Sequence, residues 1–155
     1  MAELVEDTVR EILEEVVAGL GLTGRVAVER DHEVVTGTVE GEDLGLFIGR
    51  HGQTIDAVQH LIFRIALARG AGDEGDLRVV IDAEGYRARR AEALQRVADQ
   101  AAEDARRYGR PVALDAMTAS ERKLVHEYLR DRGGVETYSE GEEPARHLVV
   151  APLVV

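Results

Sequence analysis

Two glycines, Gly49 and Gly52, separate two stretches of helical periodicity and constrain the fold of this chain more than any other feature. Glycine permits backbone conformations and close approaches that other residues resist. The apolar residues Ile48 and Ile55 flank the loop and predict that both helices are anchored in a core. The second helix presents free N–H groups and a positive dipole end to an anion. The loop is therefore a candidate phosphate contact, although an ordinary turn between helices contains the same glycines.

Apolar periodicity around this loop predicts the element order α-β-β-α-α-β. The predicted elements are a helix over residues 3–20, a hairpin over 25–40 with its turn at Asp31-His32, a short helical stretch over 42–48, a helix over 53–68 with Leu61 on its buried side, and a strand over 77–81. This order, with a G-x-x-G loop between two helices, is typical of KH domains, whose loop clamps about four nucleotides of a single strand. We predict a KH domain over residues 1–84.

The second half of the chain predicts a small α/β module over residues 85–155. A long linking helix over 85–107 precedes a short strand around 112–114, and two β-rich segments, 135–138 and 147–154, close the chain. Between them lies a helix whose start carries the capping-box pattern Thr118-x-x-Glu121. We therefore predict an α/β (α+β) protein of two abutting modules.

Arg122, His126 and Arg130 recur at helical spacing on the capped helix and predict one solvated basic face. Such a row can grip phosphates and stack on a base. The alternative is an ordinary exposed basic face, with His126 hydrogen-bonded to a neighbouring carbonyl. Spacing alone leaves both interpretations open.

The net charge of −11 opposes nucleic-acid binding, but the charge is unevenly distributed. Residues 1–84 carry 7 arginines and 18 acidic residues, whereas residues 85–132 carry 11 basic and 8 acidic residues. Local fields decide where an anion binds, while the net charge weakens and slows the association. We expect modest, salt-sensitive affinity.

Composition and spacing argue against an enzyme and predict no cofactor, metal or catalytic residue. The chain has no cysteine, and its five histidines lack zinc-site spacing. The N-terminus is acidic where a signal peptide is basic, and no apolar run approaches the roughly 18 residues of a membrane span. A cytoplasmic location without membrane insertion is the expectation.

Four collinear segments resemble the Jag (SpoIIIJ-associated) family, which joins a type II KH domain to an R-three-H domain named for Arg-x-x-x-His. The matching segments are 46–59, 82–87, 117–126 and 137–146. Many members begin with an additional small domain that this sequence does not show, so the roles of that domain are not carried over.

This resemblance implies RNA binding in the bacterial cytoplasm, as a post-transcriptional regulator or RNA chaperone linked to cell-envelope growth, cell shape and division. It also implies a small KH-only partner protein. The candidate RNA-binding residues are Gly49, Arg50, His51, Gly52, Gln53, Thr54, Arg122, Lys123, His126, Arg130 and Arg146.

Two other functions remain open at this point. In one, the acidic KH surface docks a protein of a cell-elongation complex. In the other the ligand is single-stranded DNA, because neither motif requires contact with a 2′-hydroxyl. A homodimer is also compatible with the sequence, since KH domains can pair through a sheet edge.

Overall fold

The computed structural model describes residues 2–154, with only the backbone described for residues 2 and 3. Its elements are α1 (Ala2–Gly19), β1 (Gly24–Asp31), β2 (Val34–Gly41), α2 (Gly45–Ile48), a 3-10 turn (Arg50–Gly52), α3 (Gln53–Ala68), β3 (Arg78–Ala83), α4 (Tyr86–Tyr108), β4 (Val112–Ala113), α5 (Ala119–Arg132), β5 (Val135–Glu140) and β6 (His147–Pro152). The chain divides into two compact units, Met1–Arg87 and Ala88–Val155. The functional domain limits, 1–84 and 85–155, stay a prediction.

The first unit has the predicted order α-β-β-α-α-β around a three-stranded sheet, β1-β2-β3. β1 and β2 are antiparallel, whereas β3 runs parallel to β2. The hairpin turn consists of His32 and Glu33, because Asp31 still pairs with Val34. The turn therefore lies one residue later than predicted.

Aliphatic stripes of α1 and α3 form the core of this unit together with the strands. The buried apolar residues of α1 and α3 are Val5, Val9, Leu13, Val17, Ile55, Val58, Ile62 and Ala66. The prediction for Leu61 is wrong, since 57% of this residue is exposed. The neighbouring Ile62, which periodicity also places on the buried side, is fully buried. Adjacent residues of a helix point about 100° apart, so Leu61 turns out towards solvent.

The second unit contains the sheet β4-β6-β5, in which both pairings are antiparallel. β6 is the central strand, which explains its continuous buried run from Leu148 to Ala151. Arg90 of α4 contacts Glu121 at the start of α5, and Asp99 contacts Arg132 near its end. Within this unit, the two helices therefore run in the same direction.

We expect Gly37→Ala to destabilise the first unit. A Cβ at this position in β2 would lie 2.6 Å from Val9 Cγ1 and 2.7 Å from Leu13 Cδ1, and both side chains are fully buried. Overpacking of this kind costs about 1–3 kcal/mol. The control is Gly19→Ala, where nothing lies within 4 Å. The midpoint of urea unfolding should be lower for Gly37→Ala than for the unsubstituted protein, and it should not be lowered for Gly19→Ala. Equal midpoints for Gly37→Ala and the unsubstituted protein would contradict the packing argument.

An ion pair between Arg69 and Glu11 predicts a pH dependence of stability. Arg69 Nη1 donates to Glu11 Oε2 at 2.8 Å, and this hydrogen bond and charge lower the pKa of Glu11. A lowered pKa in the folded state gives stability that is present above the ordinary Glu pKa and lost as pH falls through the folded pKa.

We therefore expect the unfolding free energy of Glu11→Gln to decrease less steeply at acidic pH than that of the unsubstituted protein. Glu14→Gln on the same helix is the control, because no ion pair of Glu14 occurs among residues 2–154. If the unfolding free energy of Glu11→Gln fell as steeply with decreasing pH as that of the unsubstituted protein, a role for the ion pair would be contradicted.

Candidate nucleic-acid interface

The G-x-x-G loop connects α2 to α3 through a backbone that favours glycine. Gly49 ends α2 with φ 75°, and its N–H donates to Gly45 O at 2.8 Å. His51 and Gly52 also have positive φ, at 54° and 79°. These left-handed conformations turn the chain sharply and bring it into α3.

The positions of both glycines leave no room for a side chain. A Cβ on Gly52 would lie 2.7 Å from Tyr86 Oη, and one on Gly49 would lie 2.8 Å from Thr54 Cβ. Gly52 is accordingly buried. Thr54 is partly buried beside Gly49, so the structure places this candidate residue beneath the loop rather than at its tip.

The tip of the loop carries exposed polar groups. Arg50, His51 and Gln53 are all exposed, and among residues 2–154 no carboxylate forms an ion pair with Arg50. Gly52 is the N-cap of α3 and offers no side-chain acceptor to the first turn. The Gln53 N–H donates to Arg50 O, so the donor surface consists of the Arg50 guanidinium and the remaining N–H groups of the first turn.

A hydrogen-bond network that the sequence interpretation missed holds α3 in place behind the loop. Arg87 donates to Ile81 O at 2.7 Å and to Asp56 Oδ1 and Gln59 Oε1 at 3.0 Å each. Gln59 Oε1 also accepts from the Ile81 N–H at 2.8 Å. Asp56, Gln59 and Arg87 lie in the segments that carry the family resemblance, and this is the one signal for the network in the sequence.

The expected solvated row on α5 is wrong at Arg122. The Arg122 side chain is only 10% exposed, and it donates to Met117 O at 2.6 Å and to Glu143 Oε1 at 2.7 Å. A third, longer contact reaches Arg146 O at 3.4 Å. The segment between β5 and β6 passes over the first turn of α5 here, so Arg122 joins the two instead of facing solvent.

The exposed part of this helix face consists of Lys123, His126 and Arg130. The side chains of Lys123 and Arg130 are 75% and 64% exposed, with acidic neighbours 4.0 Å away in each case. His126 is exposed, and its Nδ1 is hydrogen-bonded to Thr137 Oγ1 of β5. Because this bond orients the ring, the Nε2 edge faces away from Thr137. The alternative interpretation expected a carbonyl as the partner of His126, and the structure has the Thr137 hydroxyl instead.

Arg146 lies in the segment before β6 and is engaged within the protein. Its Nη1 donates to Gly141 O at 2.6 Å, and its own carbonyl accepts from Met117 N at 3.2 Å. The capping box of α5 is confirmed in both halves, with Thr118 accepting from Glu121 N and the Glu121 side chain accepting from the Thr118 N–H.

Two kinds of feature are absent from residues 2–154. No three His, Cys, Asp or Glu side chains come close enough to hold a metal ion. Within the same residues, no helix has both the length and the apolar character to cross a bilayer.

Comparisons with known families match each unit separately. Residues 6–81 match the model described as "KhpA/KhpB, KH domain", and residues 92–152 match the R-three-H domain. Neither is an enzyme family. The two matches agree with the predicted fold class, an α+β protein with a KH fold followed by a small R-three-H fold.

Curated relatives match across both units. RNA-binding protein KhpB of Clostridium symbiosum is 33% identical over 151 residues, which is 96% of this chain and 67% of that protein. Proteins of the same name from Lactiplantibacillus plantarum and Bacillus subtilis are 39% and 35% identical, and the chain covers 41% and 60% of their lengths. The predicted resemblance is confirmed: the chain belongs to the KhpB (Jag) family, in which a KH domain is followed by an R-three-H domain.

Proposed function

We propose that this chain binds single-stranded RNA, with the G-x-x-G loop as the principal contact. The observation that carries the proposal is the exposed Arg50 beside the uncapped start of α3, held on a loop whose glycines admit no side chain. The relatives at 33–39% identity are named RNA-binding proteins. Membership of that family makes RNA the favoured ligand over other anions.

The loop binds the sugar-phosphate chain rather than the bases. A phosphate accepts hydrogen bonds from the N–H groups that remain free in the first turn of α3 and from the Arg50 guanidinium, while the side chains of His51 and Gln53 contact the adjoining sugar or phosphate. Gly52 is buried against Tyr86, so its lack of a side chain lets Tyr86 pack directly beneath the loop that presents these groups. Contacts of this type carry little sequence information, so sequence preference is shallow.

The second unit contributes its own contact through Lys123, His126 and Arg130. His126 Nε2 reaches a phosphate or base edge, and the two cations supply charge that Glu127 and Asp131 partly offset. Arg122 acts as a positioning residue, because its guanidinium joins the start of α5 to the β5–β6 segment. Arg146 and Thr54 support the two surfaces from within.

The cellular part of the proposal rests on family membership alone. The chain acts in the bacterial cytoplasm as a post-transcriptional regulator or RNA chaperone, in processes of cell-envelope growth, cell shape and division. Two RNA contacts on one chain raise the overall affinity through effective concentration, although each alone is weak. A small KH-only protein is the proposed partner, and a homodimer is the alternative assembly.

We expect Arg50→Gln to weaken binding to a short single-stranded RNA about tenfold, the value of one charge-assisted hydrogen bond. The slope of log affinity against log salt should fall by roughly 0.7, because one phosphate is no longer neutralised. The control is Arg78→Gln, which removes the same charge. Arg78 is the first residue of β3, whereas Tyr86, which packs against Gly52 of the loop, follows the last residue of that strand.

Fluorescence anisotropy at two or more salt concentrations measures both quantities. Equal reductions in affinity for Arg50→Gln and Arg78→Gln would assign the effect to net charge and contradict a local contact. No binding by the unsubstituted protein at low salt would overturn the proposed function as a whole.

Arg122→Lys tests whether this residue positions the surface or contacts RNA. Lysine keeps the charge but not the fork that reaches Met117 O and Glu143 together, so the unfolding free energy should fall by about 1–3 kcal/mol. Arg122→Gln should leave the salt slope of RNA binding unchanged, whereas Lys123→Gln and Arg130→Gln should each reduce it. A reduced slope for Arg122→Gln in a folded variant would make Arg122 a direct contact.

The net charge of −11 favours a second candidate function, docking of a protein partner in a cell-elongation complex. Partner capture that survives Arg50→Gln, together with the absence of RNA affinity, would support that function. Single-stranded DNA is distinguished by anisotropy with matched RNA and DNA strands of the same sequence; tighter DNA binding would replace RNA as the ligand.

A further inference from the structure

The end of α4 presents an aromatic ring with two cations close to it. Tyr108 is the last residue of the helix, and 58% of it is exposed. The guanidinium carbons of Arg107 and Arg110 lie over its ring, each 5.6 Å from the ring centroid. A large exposed aromatic ring flanked by guanidinium groups has the chemistry on which unpaired bases stack.

Neither cation of this cluster is neutralised within residues 2–154, since no carboxylate there forms an ion pair with Arg107 or Arg110. The ring of Tyr128 has a different environment. Arg132 packs closer to that ring, at 4.2 Å, but it is also 3.5 Å from Asp99, whose carboxylate accepts a hydrogen bond from the Tyr128 hydroxyl. Asp99 therefore offsets the charge of Arg132 beside Tyr128, whereas the positive charges of Arg107 and Arg110 beside Tyr108 are not offset in this way.

The backbone presents this cluster at a defined helix end. Gly109 has φ 63° and donates to Ala105 O at 2.9 Å, which closes the helix, and Pro111 follows directly after Arg110. Cations near a helix C-terminus are favourable with the dipole, which accounts for Arg107. The dipole does not account for the exposed ring or for Arg110, which lies beyond the helix.

We propose that Tyr108, with Arg107 and Arg110, is a base-stacking site for single-stranded RNA, additional to the G-x-x-G loop and to the exposed face of α5. The inference deepens the proposed function and depends on it. At 5.6 Å the guanidinium groups are not in tight contact with the ring. A base stacks on the tyrosine after one arginine moves aside, and that arginine contacts the adjoining phosphate.

The chain has no tryptophan, so Tyr108→Trp creates a single fluorescent reporter at the proposed site. The matched control is Tyr138→Trp, which places the reporter at an exposed tyrosine, 45% accessible, that has no guanidinium over its ring in the described part of the chain. Titration with a short oligouridylate should quench the Tyr108→Trp variant with the affinity measured by anisotropy and leave the fluorescence of the Tyr138→Trp variant nearly unchanged. Unquenched fluorescence of Tyr108→Trp at saturating RNA would overturn the site.

Affinity measurements on full-length variants separate stacking from charge. Tyr108→Ala should weaken RNA binding about tenfold without altering the salt slope, whereas Tyr108→Phe should retain affinity. Arg107→Gln/Arg110→Gln should lower the slope by roughly 0.7 for each phosphate that is no longer neutralised. If Tyr108→Ala binds as tightly as the unsubstituted protein while Arg50→Gln is weakened, the stacking site is wrong and the proposed function stands. If the unsubstituted protein binds no RNA, both are overturned.

Discussion

The position of the G-x-x-G loop depends on one partly buried arginine. Arg87 Nη1 and Nη2 bind Asp56 and Gln59 of α3, and its Nε binds Ile81 O in β3. Only a planar guanidinium has donors arranged to serve these three acceptors at once. Because the residue before Arg87 is the tyrosine against which Gly52 is fitted, the same short segment fixes both the helix behind the loop and the surface beneath it.

In the folded chain some arginines are held by partners within the protein, and others have no ion pair among the described residues and are available to a ligand. This difference matters more for RNA binding than the net charge of −11. Arginines held by internal partners include Arg25, Arg69, Arg87, Arg90 and Arg122. Those without an ion pair in residues 2–154 include Arg50, Arg107 and Arg110, and each lies beside a feature suited to RNA: an uncapped helix start or an exposed ring. A charge count along the sequence treats both groups alike and therefore misjudges where an anion can bind.

Periodicity was sufficient to predict the elements because the core is aliphatic and its stripes are regular. The order α-β-β-α-α-β and the capping box at Thr118 are both confirmed. Spacing on a helix determines which residues share a face but not what covers that face. For this reason Arg122 was assigned to the solvated row, although the β5–β6 segment covers it. Long-range partners such as those of Arg87, which lie 31 and 28 residues away in α3, have no local signal in a single sequence.

An acidic protein with a few available cations should respond to salt differently from a basic one. At physiological ionic strength the Debye length is about 8 Å, so acidic residues farther than this from the bound phosphate are largely screened, while a guanidinium in direct contact is not. At lower salt the attraction at Arg50 grows, but so does repulsion from the 18 acidic residues of the first 84. The two effects partly cancel. Affinity therefore rises less steeply on dilution of salt than the number of direct phosphate contacts alone implies, and the local contacts determine which part of the RNA is held.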